Sequence, residues 1–156
     1  MGKRREGREA AVQFLYQIDL HGEKEPGDTD AFWALHSGPG KAAVTAKTRT
    51  FAEQLVAGVL THRDDIDGRI KKYTANYELN RLAAVDRNIL RLAIFEMLHS
   101  PDVAPVIIIN EAIEIAKKFG AEKSGGFVNG ILDRIKQELG RPAREGAPLK
   151  MLNDGF

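Results

Sequence analysis

The sequence predicts an all-α fold, on three observations. Apolar residues recur at three- and four-residue spacing along successive segments, the stripe of a helix that buries one face. No stretch alternates apolar and polar residues over the length of a strand, and no hairpin turn joins two such stretches. Breakers such as Gly22, Pro26, Ser100-Pro101-Asp102 and Gly120 punctuate the periodic segments.

Residues 8–20 read as the first helix, with Ala11, Phe14, Leu15 and Ile18 on one stripe. From Gly22 to Ala43 the chain is rich in Gly, Pro and Asp, and reads as a loop carrying one short helix at Phe32, Trp33 and Leu35, with Trp33 docked on the core. Periodicity resumes over 44–60 through Phe51, Leu55, Val56 and Val59, then over 64–73 through Ile66 and Ile70. A long helix with a broad apolar face runs from Leu82 to Leu98. Pro105 suits the first turn of the next helix, where a missing N–H costs nothing, and Gly120 suits its end. The last helix spans Ser124 to Leu139, with Phe127, Val128, Ile131, Leu132 and Ile135 inward. Residues 1–140 are read as one domain. Residues 141–156, with two prolines, two glycines and few apolar side chains, read as a disordered tail.

At 156 residues the chain suits a single core, which buries about 70% of the unfolded surface at this size. The absence of cysteine excludes a disulfide framework, a thiolate zinc site and a cysteine nucleophile. With 23 Lys+Arg against 22 Asp+Glu, bulk positive charge does not carry nucleic-acid binding, so any such function needs a local patch. The longest apolar run, near Val106 to Ile109, falls far short of the ~20 residues of a membrane span, and no export signal opens the chain. A cytoplasmic protein is expected.

Catalytic patterns fail on spacing. The four histidines, His21, His36, His62 and His99, form no i, i+4 pair for a metal, and no metal or other cofactor is expected. His62-Arg63-Asp64 spells a kinase tripeptide without the glycine-rich loop, strand lysine or Asp-Phe-Gly that would give it a role. Asp65-Ile66-Asp67-Gly68 lacks the spacing of a calcium loop, and these aspartates read as capping and solvating a helix start. Glycines 120, 125, 126 and 130 lack the Gly-Lys-Ser/Thr ending of a phosphate loop. They read as a C-cap, a mobile turn and a close helix contact. A binding protein is expected, not an enzyme.

The N-terminus offers the local patch. Lys3, Arg4, Arg5 and Arg8 stand against Glu6 and Glu9, just before and on the first turns of a helix. Cations there oppose the helix dipole and fit a clamp for a phosphate backbone, although from the residues alone a solvated basic terminus is the more ordinary reading. Tyr16 lies two turns beyond Arg8 on nearly the same face, and Phe127 opens the last helix. Aromatics beside a basic patch suit unstacked bases of single-stranded RNA. From the residues alone Tyr16 sits between core and surface, and Phe127 belongs to the core.

Together these residues form a family pattern. Arg4-Arg5 through Leu15-Tyr16 resembles the opening of the NusB transcription antitermination factors. Three further blocks carry the resemblance more strongly: Arg81-Leu82, Val85-Asp86-Arg87 and Ile89-Leu90-Arg91-Leu92-Ala93; then Ile109-Asn110-Glu111-Ala112-Ile113-Glu114-Ile115-Ala116-Lys117-Lys118-Phe119-Gly120; then Phe127-Val128-Asn129-Gly130-Ile131-Leu132-Asp133. The resemblance implies a bundle of two three-helix subdomains plus a short extra helix. It implies binding of the boxA element in nascent ribosomal-RNA transcripts as a heterodimer with the ribosomal protein NusE, within an RNA polymerase elongation complex, and no cofactor. By analogy Lys3, Arg4, Arg5 and Arg8 contact RNA phosphates and Tyr16 and Phe127 contact bases, with Lys123 and Asn129 beside them. Asp86 and Arg87 carry the NusE surface, with Asn80 and Arg81 at its edge.

Two departures from the family pattern bear on affinity. Where relatives commonly have an acidic residue, Ser, His and a basic residue, this chain has Lys123-Ser124-Gly125-Gly126. The exchange of acid for base strengthens phosphate attraction, while Gly-Gly removes contacts and loosens the turn. Glu6-Gly7 interrupts a run that in relatives is more uniformly basic, which lowers intrinsic RNA affinity. The rival reading is a helical interaction module without RNA specificity, including a homodimer that covers the basic face.

Overall fold

The computed structural model describes residues 2–22, 29–36, 44–74 and 78–140, save the side chains of residues 2 and 3. Helix α1 spans Gly2–Leu20, α2 Thr29–His36, α3 Ala46–Thr61 and α4 Arg63–Lys72; a 3-10 turn at Leu79–Arg81 leads into α5 Ala84–His99, α6 Pro105–Phe119 and α7 Ser124–Leu139. No strand occurs among the described residues. The all-α expectation holds, with α2 as the short extra helix. The division at residue 140 and the tail 141–156 lie outside the described residues.

Local chemistry sets the helix ends. Thr45 caps α3, its hydroxyl accepting from the Thr48 N–H at 3.2 Å. Pro105 opens α6 as expected, and Gly140 ends α7 with φ +66°, a left-handed conformation that costs glycine little. α1 starts at Gly2 and not at residue 8, so the basic residues lie on helical turns throughout. Gly125 and Gly126 also fall inside α7 instead of forming a loose turn before it. The close helix contact expected at Gly130 is absent: a Cβ there would meet nothing within 4 Å. The close approaches are at Gly58, where a Cβ would lie 2.1 Å from the Phe95 ring, and at Gly7, 2.6 Å from the Phe51 ring.

α5 is the hub, packing against α1, α3, α4, α6 and α7; α1 also packs on α3, and α6 on α7. Its residues Ile89, Leu90, Leu92, Ala93, Ile94 and Met97 are buried with Leu15 of α1, Val56 of α3, Ile66 of α4, Ile108 of α6 and Leu132 of α7. Trp33 docks on this core as expected, and its indole N–H donates to Glu53 at 2.9 Å. Such burial, at about 25 cal/mol per Å² of apolar surface, is the main force holding the bundle.

A polar network crosses the same hub. Asp19 at the end of α1 accepts from Arg87 Nε at 2.8 Å, Asn88 at 3.0 Å and Arg91 at 3.3 Å. Arg91 forks onto both oxygens of Asp67 at 2.8 and 3.0 Å, joining α4 to α5. Asp67 therefore bridges helices and does not solvate a helix start, whereas Asp64 and Asp65 do sit in the first turn of α4. Burial raises the Asp19 pKa, but the hydrogen bonds and positive charge of Arg87, Asn88 and Arg91 outweigh it and hold the carboxyl below its ordinary value.

Candidate nucleic-acid interface

The first turns of α1 carry the basic residues, but they do not point the same way. Arg4 is exposed, its guanidinium 4.2 Å from the centroid of the Phe51 ring on α3. Arg5 is partly exposed, with a side-chain exposure of 37%, and reaches Glu111 of α6, Nη2 to Oε2 at 2.5 Å. Hydrogen bonding and attraction from Glu111 raise its pKa. Lys3 lies on α1, and its side chain is outside the described residues.

Arg8 differs from the expectation. It is only 5% exposed and donates Nε and Nη2 to the two oxygens of Glu96, at 2.7 and 2.8 Å, with Glu111 at 3.7 Å. Burial lowers its pKa, yet Glu96 and Glu111 outweigh that and the net shift is upward. A cation with both forks spent on buried carboxylates is not available to a phosphate. Arg8 instead ties α1 to α5 and α6, beneath the surface that Arg4 and Arg5 present.

At the other end of the candidate surface, a tight turn sets the start of α7. The Ala121 N–H donates to the buried Ser124 hydroxyl at 2.9 Å, and a Cβ on Gly120 would fall 2.6 Å from that oxygen. The turn brings Lys123 and Phe127 to the 3-10 turn and the head of α5. There Arg81, Asp86, Lys123, Ser124 and Phe127 line one groove of about 300 Å³. Thus two residues expected to meet RNA and two expected to meet a protein partner share one concave surface. Arg81 and Lys123 are exposed and form no ion pair among the described residues. Asp86 is nine-tenths buried, and its Oδ1 has no hydrogen-bond partner among the described residues.

The remaining expected residues do not line this groove; Asn80 and Arg87 line a separate cleft with Asp19, Asp67 and Arg91. Asn80 is exposed on the 3-10 turn and Asn129 is exposed on α7, while Tyr16 is half-buried on α1. Arg87 is turned inward: besides Asp19 it donates to the carbonyls of Leu79 and Leu82, both at 3.0 Å. It pins the 3-10 turn that presents Asn80 and Arg81 and leaves little of itself for a partner. Sequence reasoning missed Glu96 and Glu111, the buried acids that decide which arginines face out. A glutamate inside an apolar helical stripe is the signal that could have found them.

One other feature was not foreseen. His62 and His99, distant in sequence, stack with ring centroids 4.2 Å apart. Burial and the neighbouring His62 push the His99 pKa down. Among the described residues no group of three or more His, Cys, Asp or Glu could hold a metal ion, and no helix is long and apolar enough to cross a membrane.

The NusB family model matches residues 5–137. The chain is 41% identical over 145 residues to the transcription antitermination protein NusB of Sorangium cellulosum, covering 93% of this chain and 99% of that protein. It is 48% identical over 143 residues to the NusB of Geotalea uraniireducens, covering 89% and 97%. Among solved structures, T. maritima NusB superposes with a TM-score of 0.74 at 35% identity, covering 96% of each chain. A crystal structure of the antitermination factors NusB and NusE in complex with dsRNA gives 0.74 at 30%, covering 88% of this chain and 98% of that one.

Proposed function

The chain belongs to the NusB family, and from that premise we propose that it is a transcription antitermination factor. On this reading it binds the boxA element of nascent ribosomal-RNA transcripts together with the ribosomal protein NusE, within the RNA polymerase elongation complex. It performs no chemistry of its own. The observation that carries the reading is the groove where Lys123 and Phe127 meet Arg81 and Asp86. An RNA strand and a protein partner laid on this surface share a border, so each adds contact area to the other's site. The relatives' names and the neighbouring NusB–NusE–RNA structure support the same assignment.

The division of labour follows from the side chains. Arg4, Arg5 and Lys123 meet phosphates, releasing counterions, while the Phe127 ring offers a face to an unpaired base. Arg8 positions the first turn of α1 through Glu96 without touching RNA. Asn80 and Arg81, both exposed, offer polar contacts to the protein partner, and the mostly buried Asp86 lies in the wall of the groove beside them. With few free cations, the chain alone binds RNA weakly and gains affinity with NusE.

Fluorescence anisotropy of labelled boxA RNA and of a scrambled strand, with and without NusE, tests this. Tighter binding of boxA in the presence of NusE is expected. Equal affinity for the two strands with NusE present contradicts it, and light scattering that shows a homodimer undisturbed by RNA would favour an assembly module.

A further inference from the structure

Between the first turn of α1 and the start of α3 lies a cleft of about 580 Å³, lined by Arg4, Lys47, Thr48, Thr50, Phe51 and Gln54. Both charged residues in its wall are cations, and neither forms an ion pair among the described residues. By contrast Arg49, on the same helix, is taken up by Asp30 at 2.6 Å and Glu53 at 3.3 Å. Lys47 stands in the first turn of α3, which holds no acidic residue, so the positive end of the helix dipole adds to its field. A cation at that position opposes the helix dipole, and Lys47 has no acidic partner among the described residues.

The floor of the cleft is aromatic. Gly7 lets α1 approach Phe51 so closely that a Cβ would lie 2.6 Å from the ring. Arg4 lies over that ring at 4.2 Å and is itself exposed. A guanidinium plane backed by an aromatic ring is a platform on which a nucleobase can stack. Thr50 and Gln54, both exposed at the rim, supply hydrogen-bonding groups.

We propose that this cleft holds nucleotides flanking the boxA element on the same RNA strand, with a base on the Arg4–Phe51 stack and a phosphate at Lys47. The inference rests on the RNA-binding reading above, and it extends the RNA path beyond the α1–α7 surface onto α3. Charge and continuity select this occupant: the cleft is cationic, and Arg4 belongs to both surfaces. It also gives Gly7 a purpose, since the residue that breaks the basic run is the one that admits Phe51.

The test compares a minimal boxA RNA with the same RNA extended by several nucleotides on one side or the other. Each is titrated against the full chain with NusE across a salt series, using wild type, Lys47→Ala and Lys47→Arg. One extension is expected to tighten binding and steepen the salt dependence. Lys47→Ala should then lower the log–log salt slope by about 0.7 for that RNA but not for the minimal one, and Lys47→Arg should restore it. Lys47 is exposed, so neither change threatens the fold. Extensions that add nothing, or a Lys47→Ala effect equal on both RNAs, overturn the inference while leaving the boxA reading intact. If wild type with NusE binds neither RNA, both fall. Occupation of the cleft by an acidic peptide with no effect of RNA extension assigns it to a protein and overturns the proposal.

Discussion

Arg8 and Glu96 form a closed, two-pronged ion pair inside the bundle, Nε to Oε1 at 2.7 Å and Nη2 to Oε2 at 2.8 Å, with Arg8 only 5% exposed. It joins the most basic turn of α1 to the central helix and separates the buried Arg8 from the exposed Arg4 and the partly exposed Arg5.

Removing one partner of this pair should be costly. Arg8→Ala leaves Glu96 buried and uncompensated, which typically destabilises by about 3–5 kcal/mol. Urea denaturation should show a loss of that order, and the folded fraction of the variant should keep the wild-type salt slope for RNA. A loss below about 1 kcal/mol would show that the pair is open to solvent.

Arg4 should behave in the opposite way. It is exposed and unpaired with any acid among the described residues. Arg4→Ala should leave thermal stability nearly unchanged and reduce the log–log salt slope of RNA binding by about 0.7. Anisotropy titrations at several salt concentrations measure this directly.

Phe127 separates stacking from packing. Its ring lines the α7 groove while part of it rests on the core. Phe127→Leu keeps apolar bulk, so stability should fall by less than about 1.5 kcal/mol. Loss of the flat face should weaken RNA binding by about 1–3 kcal/mol, and a calorimetric titration with boxA RNA tests it.

Asp19 sets an acid limit on the fold. Its folded pKa lies below the ordinary 3.8, because the favourable contacts with Arg87, Asn88 and Arg91 exceed the cost of burial. The stability it contributes is complete above the unfolded value and is lost as pH falls through the folded one. Chemical denaturation should therefore show wild-type stability falling as pH drops below about 4, and Asp19→Asn should flatten that limb.

The helices were legible because their apolar stripes are periodic, and Pro105 and the cap at Gly120 were legible because their chemistry is local. The start of α1 was not, since Gly2 to Gly7 contribute charge and no stripe; the helix there is held by Arg8 and by Phe51 against Gly7, contacts made across long sequence separations. The same reason hid the candidate site's inner half. A basic run shows charge, but which of Arg4, Arg5 and Arg8 faces out depends on Glu96, 88 residues from Arg8, and Glu111, 106 residues from Arg5. Phe127 looked like core from its position on a helical stripe, and only the turn at Gly120 and Ser124 brings it to a groove.

The central claim is that one RNA strand touches both the first turn of α1 and the start of α7. Amide chemical-shift mapping of the isotope-labelled full chain, bound to unlabelled NusE and titrated with boxA RNA, tests it most directly. Shifts concentrated at Arg4 and Arg5 and at residues 120–129 are predicted. Shifts confined to the surface where Arg69 and Lys72 meet Glu138, or none at either predicted segment, would contradict it.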